Sequence, residues 1–267
     1  MRQIPSLDQA FKGAKSVPEV IRNQIGLLNL EAKSNEITIF TRRLELYYSY
    51  ITDKTLLKTQ REFFEGFYHE IDEKYPDILF RLEGRRKSFI SAYKKLWRAD
   101  SYATMKDISG FRITLFGDDS EKLIKQCYTV MDLLFNYSLN AEEVEPCMAT
   151  PLKDTKRSGN SSLLSEDIQP YVKDYIHNPK ENGYQSLHMI FQAKLGYYFE
   201  VQIRTFDMHM HAEYGQASHA VYKKKYDELE FDRSLVNIPG YCIIGDKLYD
   251  WVGLEESQEI LRRQKTF

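Results

Sequence analysis

Lys87, Ser91 and Lys95 recur at intervals of four, with Arg85 and Lys94 beside them, so on a helix they form one stripe of cations and a hydroxyl. Like charges at that spacing repel by roughly a few tenths of a kcal/mol per pair, a cost that a bound polyanion such as a triphosphate removes. An ordinary basic face in water is the plain alternative. Arg112, Lys173 and Lys180 add positive charge on neighbouring segments, and two carboxylates, Asp107 and Glu200, stand among these cations. A hard cation such as Mg²⁺, held by one or two carboxylates with phosphate oxygens completing its shell, is what phosphoryl-type transfer requires. Taken singly, Asp107 could equally be a cap, and Glu200 could pair with Arg204 on its own strand.

Side chains so far apart in the chain must be brought together by strands and helices. After Asp107, Phe111, Ile113 and Leu115 alternate with Arg112, Thr114 and Phe116, which predicts a strand with one face in the core. Two further strands, Tyr184 to Ala193 and Tyr198 to Arg204, predict an antiparallel hairpin around Lys194-Leu195-Gly196-Tyr197. On it Leu187, Met189, Phe191, Val201 and Ile203 point one way, and Tyr184, Ser186, His188, Glu200, Gln202 and Arg204 the other. That polar set is rich in donors and acceptors; a solvated sheet face weighs equally against a site.

Helical rhythm predicts three helices between Val17 and Tyr75, with breaks near Ser34-Asn35 and Thr52-Asp53. A fourth runs from Gly84 to Trp97, with Phe89, Tyr93 and Leu96 on one face. Gly117-Asp118-Asp119-Ser120 caps a fifth to about Phe135, and a sixth spans Asp207 to Tyr226. Between 136 and 167 periodicity disappears, and Lys156 to Ser162 reads as a mobile loop, expected to cover an acceptor bound near Lys173. A last hairpin pairs Tyr241 to Ile244 with Leu248 to Val252. Helices alternating with mixed strands predict an α/β, or mixed α+β, domain.

Composition narrows the classes. The 267 residues suit one large domain or two small ones, and 42% hydrophobic with 28% charged residues is ordinary for a folded globular chain. No run approaches a membrane span and the N-terminus lacks a signal-peptide core, so neither a membrane nor secretion is expected. Three scattered cysteines, Cys127, Cys147 and Cys242, give no disulfide framework and suit a reducing cytoplasm. A net charge of −2 supplies no global field toward nucleic acid, so any polyanion must be met locally. No Walker-type loop, dinucleotide glycine fingerprint or nucleophile elbow is present. His209, His211 and His219 lack a metal-ligand spacing.

The segments GRRKSFISAYKKL (84–96), KDISGFRIT (106–114), KDYIHNPKENGYQSLH (173–188), FEVQIRT (199–205) and MHMHAEYGQASHAVYKK (208–224) resemble, in this order, the synthetase domain of the RelA/SpoT alarmone synthetases. The resemblance implies a nucleotidyltransferase-like fold, with a mixed central sheet flanked by helices. It implies transfer of the β,γ-pyrophosphoryl group of ATP to the 3′-hydroxyl of GDP or GTP, releasing AMP. Arg85 and Arg112 are then expected to sandwich the adenine, and Lys87, Ser91 and Lys95 to hold the ATP phosphates. Guanidinium planes stack on π faces while staying charged. Asp107 and Glu200 are expected to hold Mg²⁺, and Glu200 also to orient or deprotonate the 3′-hydroxyl. Tyr184 is expected to stack on the guanine, with Lys173, Lys180, Asn182, His188 and Gln202 lining the acceptor side.

Two positions depart from the family pattern: Tyr171 stands where long-type members carry an Arg, or else an acidic version of the whole segment, and Ala220 stands where an aromatic is usual. Lys173 leans toward GTP, while Tyr171 leaves GDP and GTP both open. The implied organisation is a helical N-terminal segment at 1–83, a catalytic core at 84–226 containing the 136–167 loop, and a C-terminal extension at 227–267. His69-Glu70 is not the His-Asp pair of the family's hydrolase, so no alarmone hydrolysis is expected. The organisation resembles small stand-alone members, which often form homo-oligomers. Two other readings stand beside it: a toxin-type member that modifies the tRNA 3′ end or makes an adenine alarmone and is held by an antitoxin, and an inactive nucleotide-binding module.

Overall fold

The alternation of Phe111, Ile113 and Leu115 with Arg112 and Thr114 becomes a strand whose inward side chains are almost fully buried, and the remaining sheet is built on it. The computed structural model describes residues 8–11, 13–14, 17–31, 35–86, 89–98, 106–152, 160–193, 196–214, 241–244 and 247–250. The strands are β1 (Leu79–Arg86), β2 (Ser109–Phe116), β3 (Val144–Cys147), β4 (Val172–Asp174), β5 (Leu187–Ala193), β6 (Tyr198–Thr205), β7 (Tyr241–Ile244) and β8 (Lys247–Asp250). The helices are α1 (Asp8–Phe11), α2 (Val17–Glu31), α3 (Asn35–Thr52), α4 (Lys54–Lys74), α5 (Phe89–Arg98), α6 (Ser120–Leu139) and α7 (Phe206–Tyr214).

One mixed sheet runs β3-β5-β6-β2-β1-β7-β8, with β4 also paired to β5. β2 and β6 are parallel, while β1–β2, β5–β6, β3–β5 and β4–β5 are antiparallel. On one face Phe111, Ile113, Leu187, Phe191, Phe199 and Ile203 form the core with Phe64 and Phe67 of α4 and Val130, Met131 and Leu134 of α6. Phe64 stacks on Phe111 and Phe191 on Phe199. Asp119 caps α6, its side chain accepting from the Lys122 backbone N–H at 3.0 Å, as the Gly-Asp-Asp-Ser sequence predicts.

The mixed sheet flanked by helices, the three helices before Tyr75, the central hairpin and the Tyr241 hairpin agree with the sequence reading. Three details differ. Gly84 to Arg86 is strand rather than helix: residues 79–86 pair in full register with β2 and Leu82 is buried, so period two wins until the helix starts at Phe89. The sheet therefore begins inside the expected 1–83 segment, and Lys87 of the expected helical stripe lies outside the described residues. The described residues of the 136–167 run carry structure, because α6 continues to Leu139, β3 pairs with β5, and Leu164 enters the core, as does Ile168 just beyond. Residues 153–159 lie outside the described residues, as does the part of the expected last helix beyond Tyr214. Arg204 and Ser186, read on the polar hairpin face, are buried at 1% and 0% exposure rather than solvated.

Candidate active site

Strand register aligns the polar side of the sheet into rows. Lys173 pairs with His188, His188 with Gln202, Gln202 with Arg112, and Arg112 with Glu83, so one row crosses β4, β5, β6, β2 and β1. The adjacent row runs Ile190, Glu200, Gly110 and Arg85. Since the side-chain period is two, Lys173, His188, Gln202, Arg112, Glu83 and Glu200 face away from the aromatic core. Gly110 permits the close approach of β2 to β6, because a Cβ there would lie 2.9 Å from the Glu200 carbonyl oxygen.

Glu200 is held at both carboxylate oxygens. His188 Nδ1 lies 3.0 Å from Oε1, and Gln202 Nε2 donates to Oε2 at 2.8 Å. On the far side of the imidazole, Nε2 lies 2.9 Å from the Tyr184 hydroxyl, so Tyr184, His188, Glu200 and Gln202 form one chain of hydrogen bonds. Burial pushes the Tyr184 phenol above its ordinary range, so it stays protonated at neutral pH. The Tyr175, Tyr184 and His188 rings meet edge to face, and the Lys180 ammonium sits 4.7 Å over Tyr175 and 5.4 Å over Tyr184. A tight turn presents this group: Gly183 N donates to Lys180 O, Lys180 N to Tyr184 O, and Tyr184 N to Asn182 Oδ1. Gly183 holds φ at +79°, which favours glycine, and a Cβ there would meet His211 Nε2 at 2.9 Å.

Asp107 accepts from Lys95 Nζ at 2.6 Å, which places a helix-borne ammonium on the carboxylate that precedes β2. Burial lowers the Lys173 pKa; Glu200 opposes that shift, and Lys180, Lys106 and Lys95 add repulsion. These lysines therefore share one electrostatic neighbourhood with Glu200. Asp107 and Glu200 lie toward the starts of two parallel neighbours, β2 and β6. Oxygen-only donors, few in number and set among lysines, fit a Mg²⁺ ion shared with a polyphosphate better than an all-protein cage. Among the described residues no group of three or more His, Cys, Asp or Glu could hold a metal.

Of the residues expected from sequence, the structure joins Tyr184, His188, Glu200 and Gln202 directly, and Lys95 with Asp107. Lys173 and Lys180 adjoin the first group, and Asn182 shapes its turn. Glu200 does not pair with Arg204 as the plain alternative had it: Arg204 bonds Glu213 and His209. Arg112 lies in the same row as Gln202 but donates to Glu213 of α7 at 3.1 Å. Lys87 and the side chains of Arg85 and Ser91 lie outside the described residues.

Three partners escape the sequence reading. Glu213 and His209, on α7, cover the two arginines; burial and those arginines push His209 down to about 4, so it is neutral at pH 7. Asp174, fully buried, accepts from the Tyr128 hydroxyl and from the backbone N–H of Ser161, Ile176 and His177, anchoring the strand that carries Lys173. Glu213 and Asp174 both lie inside the quoted segments, but neither residue's pairing has a local signal.

Residues 84–227 match the family described as "Region found in RelA / SpoT proteins". A probable chloroplastic GTP diphosphokinase of Oryza sativa subsp. japonica is 33% identical over 144 residues, which is 54% of this chain and 16% of that one. The bifunctional (p)ppGpp synthase/hydrolase SpoT of Escherichia coli K12 is 26% identical over 235 residues, 84% of this chain and 28% of its own length. This chain thus spans a minor part of those relatives. Among solved structures, small alarmone synthetase 2 from Bacillus subtilis aligns over 78% of this chain and 90% of that one, with 24% identity and a TM-score of 0.42.

Proposed function

The chain belongs to the RelA/SpoT family, and on that premise we propose that it is a GTP diphosphokinase, moving the β,γ-pyrophosphoryl group of ATP to the 3′-hydroxyl of GDP or GTP. The supporting observation is the pair of groupings at the starts of two neighbouring strands: Glu200 of β6 held between His188 and Gln202, and Lys95 on the Asp107 that precedes β2.

Glu200 orients the acceptor hydroxyl and takes its proton as the 3′ oxygen attacks the β-phosphorus. The bond from that phosphorus to the α,β-bridging oxygen breaks, and AMP leaves. Tyr184 stacks on the guanine, Lys180 and Lys173 meet the acceptor phosphates, and Asn182, His188 and Gln202 line its site. Lys95, with Lys87 and Ser91, steadies the donor phosphates, and Arg85 and Arg112 flank the adenine. Asp107 and Glu200 would hold Mg²⁺, which neutralises charge on the phosphates being transferred. The protein's share of catalysis is alignment, charge neutralisation and one positioned base.

The test is an assay with ATP labelled in its terminal phosphates, with and without Mg²⁺, and with GDP, GTP, ATP or deacylated tRNA as acceptor. Label in guanosine tetra- or pentaphosphate, abolished by EDTA and restored by Mg²⁺, is the expected result. Label confined to tRNA or to an adenine product overturns the guanine-nucleotide assignment and points to an antitoxin partner. No transfer to any acceptor would leave a binding module.

A further inference from the structure

The apolar side of α5 avoids the sheet core. Ala92, Tyr93 and Leu96 are buried in a second cluster, against Ile21 and Leu28 of α2 and Phe40 and Leu44 of α3. Directional contacts fix the packing. Gln24 Nε2 donates to the Tyr93 hydroxyl at 3.0 Å, and Phe40 meets the Tyr93 and Trp97 rings edge-on, each with centroids 4.9 Å apart. Arg43, itself buried, donates from Nη1 to the Leu96 carbonyl at 3.1 Å, in the last turn of α5. A cation there satisfies an orphan carbonyl and complements the negative end of the helix. The neighbouring residue, Lys95, reaches Asp107.

The acceptor side is seated elsewhere. Lys173 rides on β4, anchored through Asp174 to Tyr128 of α6, which lies in the sheet core. We propose that Arg43 and Phe40 are positioning residues for the triphosphate end of the site. Through these two residues α3 sets the placement of α5, hence where the Lys95 ammonium meets Asp107, and neither of them bonds a residue of the guanine-nucleotide end, whereas Tyr50 of the same helix bonds the Tyr198 carbonyl of β6. The inference rests on reading Lys95 and Asp107 as the ATP end. It gives the N-terminal helices a part in the donor site that acts through α5.

The test measures binding of a non-hydrolysable ATP analogue and of GDP by calorimetry, and KM for each substrate, in full-length wild type, Arg43→Met, Arg43→Lys and Phe40→Leu. The temperature is kept well below each variant's midpoint. Arg43→Met is expected to weaken analogue binding and raise the ATP KM about tenfold, as misplacement of a positioned group does, with GDP affinity kept within about twofold. Arg43→Lys recovers most of the loss, and Phe40→Leu moves in the same direction as Arg43→Met. Wild type binding neither nucleotide overturns the functional reading itself. Wild type binding both, with the variants either unchanged or losing both ligands in parallel, overturns only the positioning role. If Arg43→Met does not fold, Phe40→Leu and Arg43→Lys carry the same comparison.

Discussion

Arg112 and Arg204 donate to the same oxygen, Glu213 Oε1, each across 3.1 Å. One carboxylate on α7 thus serves a buried arginine of β6 and a nearly buried one of β2, tying the roof helix to two strands. Glu213→Gln leaves Arg204, 1% exposed, beside a neutral amide. The expected cost is about 1–3 kcal/mol, at the low end because Glu213 is 42% exposed. A urea midpoint that falls with an unchanged slope is the expected signature; an unmoved midpoint means the shared acceptor does nothing for stability.

His209 gives that roof a pH dependence. Its folded pKa, about 4, lies below the ordinary 6.5, because burial and the arginines disfavour the imidazolium. Between those values the unfolded chain binds the proton and the folded one does not, so stability falls as pH drops from 6.5 toward 4 and His209 adds no further loss below that. His209→Gln should flatten this part of the stability–pH curve, read from urea midpoints at half-unit steps. Parallel wild-type and variant curves would show that His209 carries none of the slope.

Glu200→Gln keeps the shape of the side chain and removes the base. The kcat is expected to fall by about 10²–10⁴, with thermal stability close to wild type. His188→Ala removes one hydrogen bond to Glu200 and should also lower kcat, by less, while the donor KM holds. Equal losses in the two variants would argue against Glu200 as the base.

Gly183→Ala tests the acceptor turn. At φ +79° an alanine costs about 1–2 kcal/mol, and its Cβ would press on His211 Nε2 at 2.9 Å. The turn carries Asn182 and Tyr184, so the GDP KM should rise while the ATP KM holds. A matching rise in both would sink the separation of the two ends.

Tyr128→Phe deletes one of the donors to the buried Asp174 carboxylate. A loss of about 1–3 kcal/mol is expected, together with a higher acceptor KM because Lys173 is the next residue. Retained stability would mean that the backbone N–H groups satisfy Asp174 alone.

Strict alternation makes β2, β5 and β6 legible in the sequence, and with them the shared face of Glu200, His188 and Gln202. β1 is harder to see, because Gly84 breaks its pattern and the helical spacing of Tyr93 and Leu96 can be extended backward into it. Register decides which polar residues of different strands touch, and nothing local in the sequence sets it: Glu200 could have met Arg204, yet it meets His188, diagonally across the ladder, and Gln202, two residues on in its own strand. Arg204 is buried because the following helix folds over it, an event invisible to the strand's own pattern. The second core is legible as helices but not as a partnership, since amphipathic α3 does not announce that its partner is α5.

The parallel pairing of β2 with β6 joins segments separated by α6, β3, β4 and β5. Closing so long a loop costs entropy before any contact returns it, so this pair is expected to form late in folding. Asp107 and Glu200 come together only at that closure. A ribosome-bound chain that has not yet released β6 holds Lys95 and Asp107 without Glu200. On the reading of Glu200 as the base, fragments that end before β6 lack it and are expected to transfer no pyrophosphoryl group.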